Sequence, residues 1–467
     1  SDIDSSDIDS SDIDSSDNIN SPDTYEPVAL AKEKAADLGV LPAAGSSMDK
    51  SSLNQKEKKP HHVKDQSIGT SKKFYLLGAG VVALIACFLY LLYSAFAHNQ
   101  FGWMIVLVLL GFGATLGFIL VIICYYLAGV AMSPPWYVYS GDPVIGLTQQ
   151  HIPEYWQGVC HDPKTDLGLD YEDIEFETKL GGKTFDQHLT LRGWFIPVSK
   201  KCKYRRKVVI VAVHGGGRDR RAFLRHSAFF HAKGYPILLF DFREHGTSDG
   251  LGNGFTYGVK EHLDVEAAVA FAKEKTRCRA CCVLATSVGA TATIIAASHD
   301  RNIDAVIAEN PLTRPEELIS FIYWMGIDYA MPSRFSRSFV FRWFGRMVVA
   351  IFLWRIGALR EDSLWPNHRG AVDLVHRISP RPILIMHGDE DKIIPVDHST
   401  RIYAAALEPK FIWIAKGAVH CALYDRRPSE YKQKVLGFLE TLEDSLFKAS
   451  GKRSRSMESL SNSFFNG

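Results

Sequence analysis

Three short segments hold the side chains with the most chemistry in this chain: Ala285-Thr286-Ser287-Val288-Gly289, His387-Gly388-Asp389-Glu390-Asp391 and Gly417-Ala418-Val419-His420. Each stands at the C-terminal end of an apolar, β-branched run, and together they supply a hydroxyl, a carboxylate and an imidazole. A serine hydroxyl is a weak nucleophile until a neighbouring base takes its proton, and a carboxylate can hold that base in the right tautomer. The set suits nucleophilic acyl transfer, with Ser287 attacking, His420 as the base and Asp391 orienting the imidazole. Asp389 is the competing acid; the His-Gly-x-x-Asp spacing favours Asp391. Small residues at 285 and 289 suit a sharp strand-to-helix turn on which the serine is displayed, although the same pattern read alone is a helix N-cap. The run His214-Gly215-Gly216-Gly217 offers backbone N–H groups unobstructed by side chains. The expected oxyanion donors are the N–H groups of Val288 and of Gly216, or else Gly217. No Gly-Lys-Ser/Thr follows, so this run is not a phosphate loop.

These residues need a scaffold, and from about residue 171 the hydrophobic pattern supplies one. Strands are expected at 171–180, 188–198, 207–213, 236–242, 281–286, 304–308, 382–386 and 411–415. Helices are expected at 221–233, 259–275, 288–299, 397–407 and 427–447. Short apolar strands alternating with helices predict an α/β domain over 171–447, with a mostly parallel, doubly wound sheet covered on both faces. An insertion at about 312–379 interrupts the alternation and is read as a helical cap. Its apolar stretch Phe339–Leu359 carries isolated arginines and suits either a membrane interface or a lid over the site.

Two hydrophobic runs precede this domain, at about 74–97 and 103–131, and no Lys, Arg, Asp or Glu occurs from Phe74 to Gly141. Each run exceeds the roughly 20 residues that cross a bilayer core. The short linker His98-Asn99-Gln100 predicts a transmembrane hairpin. Lys56, Lys58, Lys59, Lys64, Lys72 and Lys73 precede the first run and the linker has no cation, so both ends of the hairpin are expected on the cytosolic side. Gly113 and Gly117 form a G-xxx-G step that suits packing against the first span or, as the alternative, dimerisation. Residues 132–170 form a connector, with Pro134-Pro135-Trp136-Tyr137 at headgroup level. Residues 1–73, opening on a Ser-Asp-Ile-Asp-Ser repeat, and 448–467, Ser-rich and basic, lack apolar periodicity and are expected to be disordered.

The formal net charge of +1 excludes a globally basic nucleic-acid binder. Cys278, Cys281 and Cys282 resemble half a zinc site, but no second Cys/His pair at ligand spacing accompanies them, so buried thiols are expected and no metal or cofactor. The absence of a disulfide framework and of any Asn-x-Ser/Thr fits a reducing, cytosolic setting.

The order serine, acid, histidine, with the motifs quoted above, resembles the α/β-hydrolase superfamily over about 171–447. Asp241-Phe-Arg-Glu-His-Gly-Thr-Ser248 is similar to that family's Asp-x-Arg-Gly-His-Gly-x-Ser loop, with Glu244 in place of glycine, and Arg381–Gly388 also fits. The subgroup it resembles most is the membrane-anchored Bem46-like and serine-aminopeptidase-like hydrolases. The resemblance implies a Ser287-Asp391-His420 triad, an acyl-serine intermediate and no cofactor. With the hydrophobic runs, it leads to a membrane-bound esterase, thioesterase or lipase acting on an apolar acyl ester. Two other readings stay open: a catalytically silent membrane scaffold, and a serine peptidase or amidase.

Overall fold

The computed structural model describes residues 86–133, 160–180, 187–198, 206–330, 338–356 and 370–449. Its strands are β1 (Glu172–Lys179), β2 (His188–Ile196), β3 (Val208–Val213), β4 (Ile237–Phe240), β5 (Ala280–Thr286), β6 (Ala305–Glu309), β7 (Ile383–Gly388) and β8 (Lys410–Ala415). They form one sheet in the order β1-β2-β4-β3-β5-β6-β7-β8. β2 runs antiparallel to β1 and β4, and every other neighbouring pair is parallel. The edge strand β1 buries alternate residues, whereas β3 to β7 are buried throughout. That is why the inner strands read as continuous apolar runs: parallel neighbours require helical crossovers, and these cover both faces.

The helices, in chain order, are α1 (Ala86–Ala97), α2 (Phe101–Met132), α3 (Pro163–Leu167), α4 (Leu224–Ala232), α5 (Glu261–Thr276), α6 (Val288–His299), α7 (Pro315–Ala330), α8 (Phe339–Arg355), α9 (Ala371–Leu374), α10 (Asp397–Ala405), α11 (Leu423–Arg426) and α12 (Pro428–Ala449). On one face of the sheet, Cys281, Val283 and Ala285 pack with Val265 and Ala268 of α5 and with Ile294 of α6. On the other, Cys282 and Leu284 pack with Phe230 of α4 and with Tyr431 and Phe438 of α12. The adjacent thiols therefore point to opposite faces of β5 and cannot ligate a common ion.

α2 has 32 residues and is the one helix among those described that is long and apolar enough to cross a membrane. The expectation of two spans is thus met by one qualifying helix. The first run is described only from Ala86 onward, and residues 74–85 lie outside the described residues. The turn at His98–Gln100 is present, with Asn99 at φ 58°, and the Phe88 ring packs against Gly111. That contact stands where the sequence pointed to Gly113 and Gly117, which meet no neighbour among the described residues. Most of α2 exposes its apolar side chains; only Cys124, Ala128 and Met132, four residues apart, are buried. This stripe sits at the C-terminal end, where α2 meets the α/β domain: Phe255 N–H donates to Met132 O (3.1 Å), and the Tyr257 hydroxyl donates to Ala131 O (2.6 Å).

In the insertion between β6 and β7, where a cap is expected, the described residues include α7 and α8, which pack where Gly345 meets the Tyr323 ring. α8 is amphipathic: Val348, Phe352 and Leu353 are buried, while Phe339, Val340, Trp343 and Trp354 are exposed. It ends at Arg355, short of the expected Leu359, and 357–369 lie outside the described residues. So do the tail at 1–73, most of the connector (134–159) and residues 450–467. α12 continues through Ala449, two residues into the segment expected as a tail.

Candidate active site

Ser287 sits on the turn from β5 into α6 with φ 55° and ψ −125°, a positive-φ conformation that costs a residue bearing a Cβ about 1–3 kcal/mol. Two features hold it there. Its N–H donates to Glu309 O at 2.7 Å, and α6 approaches β3 so closely that a Cβ on Gly289 would strike the carbonyls of Val213 and His214. The small-x-Ser-x-Gly spacing is thus a consequence of strand–helix contact.

His420 follows β8 and a turn at Gly417 (φ 71°). Its Nε2 lies 3.1 Å from Ser287 Oγ, and its Nδ1 lies 2.7 Å from Asp391 Oδ2. Asp391 is buried in the loop after β7, and its Oδ1 accepts N–H bonds from Ile393 (2.9 Å) and Ile394 (2.8 Å). Burial alone would raise the carboxyl pKa. The His420 charge and the hydrogen bonds from His387, His420 and Ile394 reverse this and hold it well below the usual carboxylate range. Asp389, the competing acid, is exposed and accepts the Gly417 N–H at 2.6 Å, so it closes the turn before His420 and does not reach the imidazole. For His420, burial lowers the pKa, while the neighbouring Cys421 sulfur and Asp391 carboxylate overcome that and raise it above the ordinary histidine value.

Of the two candidate glycines, Gly217 has its N–H taken by a histidine. His245 Nδ1 lies 2.8 Å from Arg243 O, which places its proton there and leaves Nε2 to accept the Gly217 N–H at 3.1 Å. Burial lowers the His245 pKa, consistent with this neutral tautomer. Among the described residues, the N–H groups of Gly216 and Val288 take no hydrogen-bond partner. Gly215 packs against Ser287, with its Cβ position 3.0 Å from the serine Cβ, which brings this loop over the hydroxyl.

The Asp241–Ser248 loop buttresses the same region. Asp241 is fully buried and accepts from Arg220 N (2.8 Å), Arg220 Nη2 (2.7 Å) and Thr247 N (2.9 Å). A Cβ on Gly246 would collide with that carboxylate. Glu244, the departure from glycine, adopts φ 63° and folds its carboxylate back onto the N–H groups of Leu251 (2.6 Å) and Gly252 (2.9 Å). Its side chain supplies a loop-closing contact that glycine cannot make.

Three residues near the site went unnoticed in the sequence. Asn310, just after β6, donates from Nδ2 to Asp391 Oδ2 at 2.7 Å, sharing that oxygen with His420. Its sequence signal is a polar residue at a C-terminal strand end, where the other site residues also lie. Cys421 accepts a hydrogen bond from the Thr286 hydroxyl at 3.0 Å, which gives a role to the threonine before the serine. Phe255 packs on Gly216 from a loop with no motif. Beside Val288 runs an apolar wall of Leu318, Ile319, Phe352, Leu353 and Ile394, continuous with Ala128 and Met132 of α2.

A family model described as "Serine aminopeptidase, S33" matches residues 204–349, a span that holds Ser287 but stops before Asp391 and His420. The chain is 28% identical over 239 residues to the uncharacterized protein YqkD of Bacillus subtilis, covering 50% of this chain and 72% of that protein. Among solved structures, it resembles the Pyrococcus furiosus esterase Pf2001 (24% identity, 60% of this chain and 93% of that one, TM-score 0.44). It also resembles a Pyrococcus horikoshii acylaminoacyl peptidase (18% identity, 58% and 42%, TM-score 0.41). The sheet order and the strand–Ser287–helix turn are those of the α/β-hydrolase fold, and the family match is consistent with it.

Proposed function

We propose that this chain is a membrane-anchored serine hydrolase that cleaves an ester or thioester of an apolar acyl group. The observation that carries this reading is the unbroken chain Ser287 Oγ–His420 Nε2 (3.1 Å) and His420 Nδ1–Asp391 Oδ2 (2.7 Å). Ser287 Oγ bonds to the substrate carbonyl carbon as its proton passes to His420 Nε2. The carbonyl oxygen takes the negative charge and is met by the N–H groups of Gly216 and Val288. Asp391 stabilises the imidazolium, in keeping with its depressed pKa and the raised one of His420. As the tetrahedral centre collapses, the alcohol or thiol leaves with the proton from His420. Water then attacks the acyl-serine, gives its proton to His420, and releases the acid while Ser287 regains its hydrogen.

The apolar wall beside Val288 supports an acyl chain as the recognised group. The exposed apolar surface of α2 supports a bilayer anchor. On this reading α1 is the other arm of a two-pass hairpin, and the lysines before it set the catalytic domain on the cytosolic side. The family model's aminopeptidase description favours a second reading, amide cleavage by the same residues. Labelling of the full-length protein by a fluorophosphonate, absent in Ser287→Ala, is the expected result. A panel of acyl esters, thioesters and aminoacyl amides then separates the two substrate classes. A folded wild type that takes no label would instead fit a catalytically silent scaffold and sink the proposal.

A further inference from the structure

A cleft of about 270 Å³ opens where the end of α2, the end of α8 and the 251–260 loop meet, lined among others by Tyr125, Trp354, Arg355, Asn253, Thr256 and Lys260. Its charges are unequally matched. Arg243 is held by Asp264 (2.6 Å), and the Glu244 carboxylate is taken by loop N–H groups. Arg355 lies 4.3 Å over the Tyr125 ring and gives one N–H to Tyr125 O at 2.9 Å. Neither Arg355 nor Lys260 has a carboxylate at salt-bridge distance among the described residues. Two cations thus share one concave site with polar side chains and two exposed aromatic rings, Tyr125 and Trp354.

The depth of this cleft relative to a bilayer follows from helix geometry. At about 1.5 Å per residue, a hydrocarbon core of about 30 Å uses roughly 20 residues of α2 counted from Phe101. The rest of the helix emerges, and Tyr125 stands about one turn beyond that boundary. Tyr and Trp are favoured at this level, and cations there meet the lipid phosphates. Smaller than a drug-sized pocket of about 300–1,000 Å³, the cleft suits a headgroup and not an acyl chain.

We infer that the α2–α8 cleft is a binding site for the phosphate of an anionic phospholipid, with Lys260 and Arg355 as its cations. The site rests on the membrane-anchor reading above. It ties a lipid headgroup to the loop whose Phe255 packs on Gly216, beside the proposed oxyanion donors.

The test reconstitutes the full chain in nanodiscs of mixed phosphatidylcholine and phosphatidic acid and measures co-purified lipid by native mass spectrometry. Phosphatidic acid should be enriched over phosphatidylcholine. Lys260→Gln should lower that enrichment about five-fold, and Lys260→Gln with Arg355→Gln about twenty-five-fold; Lys260→Arg should restore it. Thermal midpoints identify any variant that has failed to fold, and Lys260→Arg keeps the claim decidable if the double variant does. No enrichment in the wild type, or enrichment unchanged by Lys260→Gln, overturns the site. Displacement of the lipid by millimolar inorganic phosphate would reassign the cleft to a soluble phosphate and overturn the lipid assignment. Carbonate extraction of the same wild-type preparation tests the anchor separately: a chain that stays in the membrane without lipid preference loses only the headgroup site, whereas a chain that is extracted loses the anchor.

Discussion

Asparagine at position 391 should disable the site through a tautomer, with little change in shape. Asp391 Oδ1 accepts from the N–H groups of Ile393 and Ile394, so the amide oxygen of the variant must take that side. Its NH₂ group then occupies the Oδ2 position, facing His420 Nδ1 and Asn310 Nδ2, both donors in the wild type. His420 can meet an NH₂ only by giving up the proton on Nδ1. The proton moves to Nε2, which points at Ser287 Oγ from 3.1 Å and can no longer accept. Loss of the correct tautomer costs about 10⁴ in kcat, or about 5 kcal/mol of transition-state stabilisation. Asp389→Asn is the internal control. That carboxylate is exposed, and an amide oxygen can accept the Gly417 N–H equally well. The rate should stay within about three-fold, with stability lower by no more than about 1 kcal/mol. Both variants would be assayed by fluorophosphonate labelling rate and acyl-ester hydrolysis, beside thermal midpoints. If Asp391→Asn keeps more than about a tenth of the activity, or if a folded Asp389→Asn is the inactive one, the assignment of the acid is wrong.

Hydrolysis should fall as pH drops through the His420 ionisation, because the protonated imidazole cannot take the serine proton; the pH–rate profile should place that limb above about 6.5, the unperturbed value. Asn310→Ala removes a donor from Asp391 Oδ2, leaves that oxygen more basic toward His420, and should move the limb further up; a limb that stays or moves down refutes the positioning role. The buried Glu309 carboxyl is pushed up to about 7 by burial, so the folded state keeps a proton that the unfolded chain loses near pH 4.3. Stability from this group is therefore full below about pH 4.3 and is lost as pH rises through about 7, and Glu309→Gln should add on the order of 3 kcal/mol at pH 8 and little at pH 4, read from urea midpoints.

The strands and the side chains that meet at their ends were legible because both are local. A buried parallel strand is a short apolar run, and β3, β5, β6 and β7 each end where a motif begins. Ser287, His420 and the acidic pair Asp389 and Asp391 could be named from their places near strand ends without knowing any distance. The placement of the helices in the 312–379 insertion was not legible: α7 and α8 pack on each other and α8 on α2, and their composition fits a core, a lid or a membrane surface equally. The same limit applied to the cysteine cluster, whose alternate pointing follows from the pleat of β5.

What the sequence determined by itself was the alternation of strand and helix, the order of nucleophile, acid and base, and a charge-free stretch long enough to span a bilayer. Each of these is a property of neighbours along the chain. Tertiary structure decided which of two acids meets the imidazole, which of two glycines keeps a free N–H, and which donor shares Asp391. It also brought α2, α8 and the 251–260 loop together around Lys260 and Arg355. Such choices depend on which polar groups are already satisfied by partners far away in sequence. Asp389 is taken by Gly417, Gly217 by His245, and Asp391 is shared between His420 and Asn310. Hydrogen bonds of that kind are made only after the sheet has assembled, because the loops that hold their two ends become neighbours only when the strands pair.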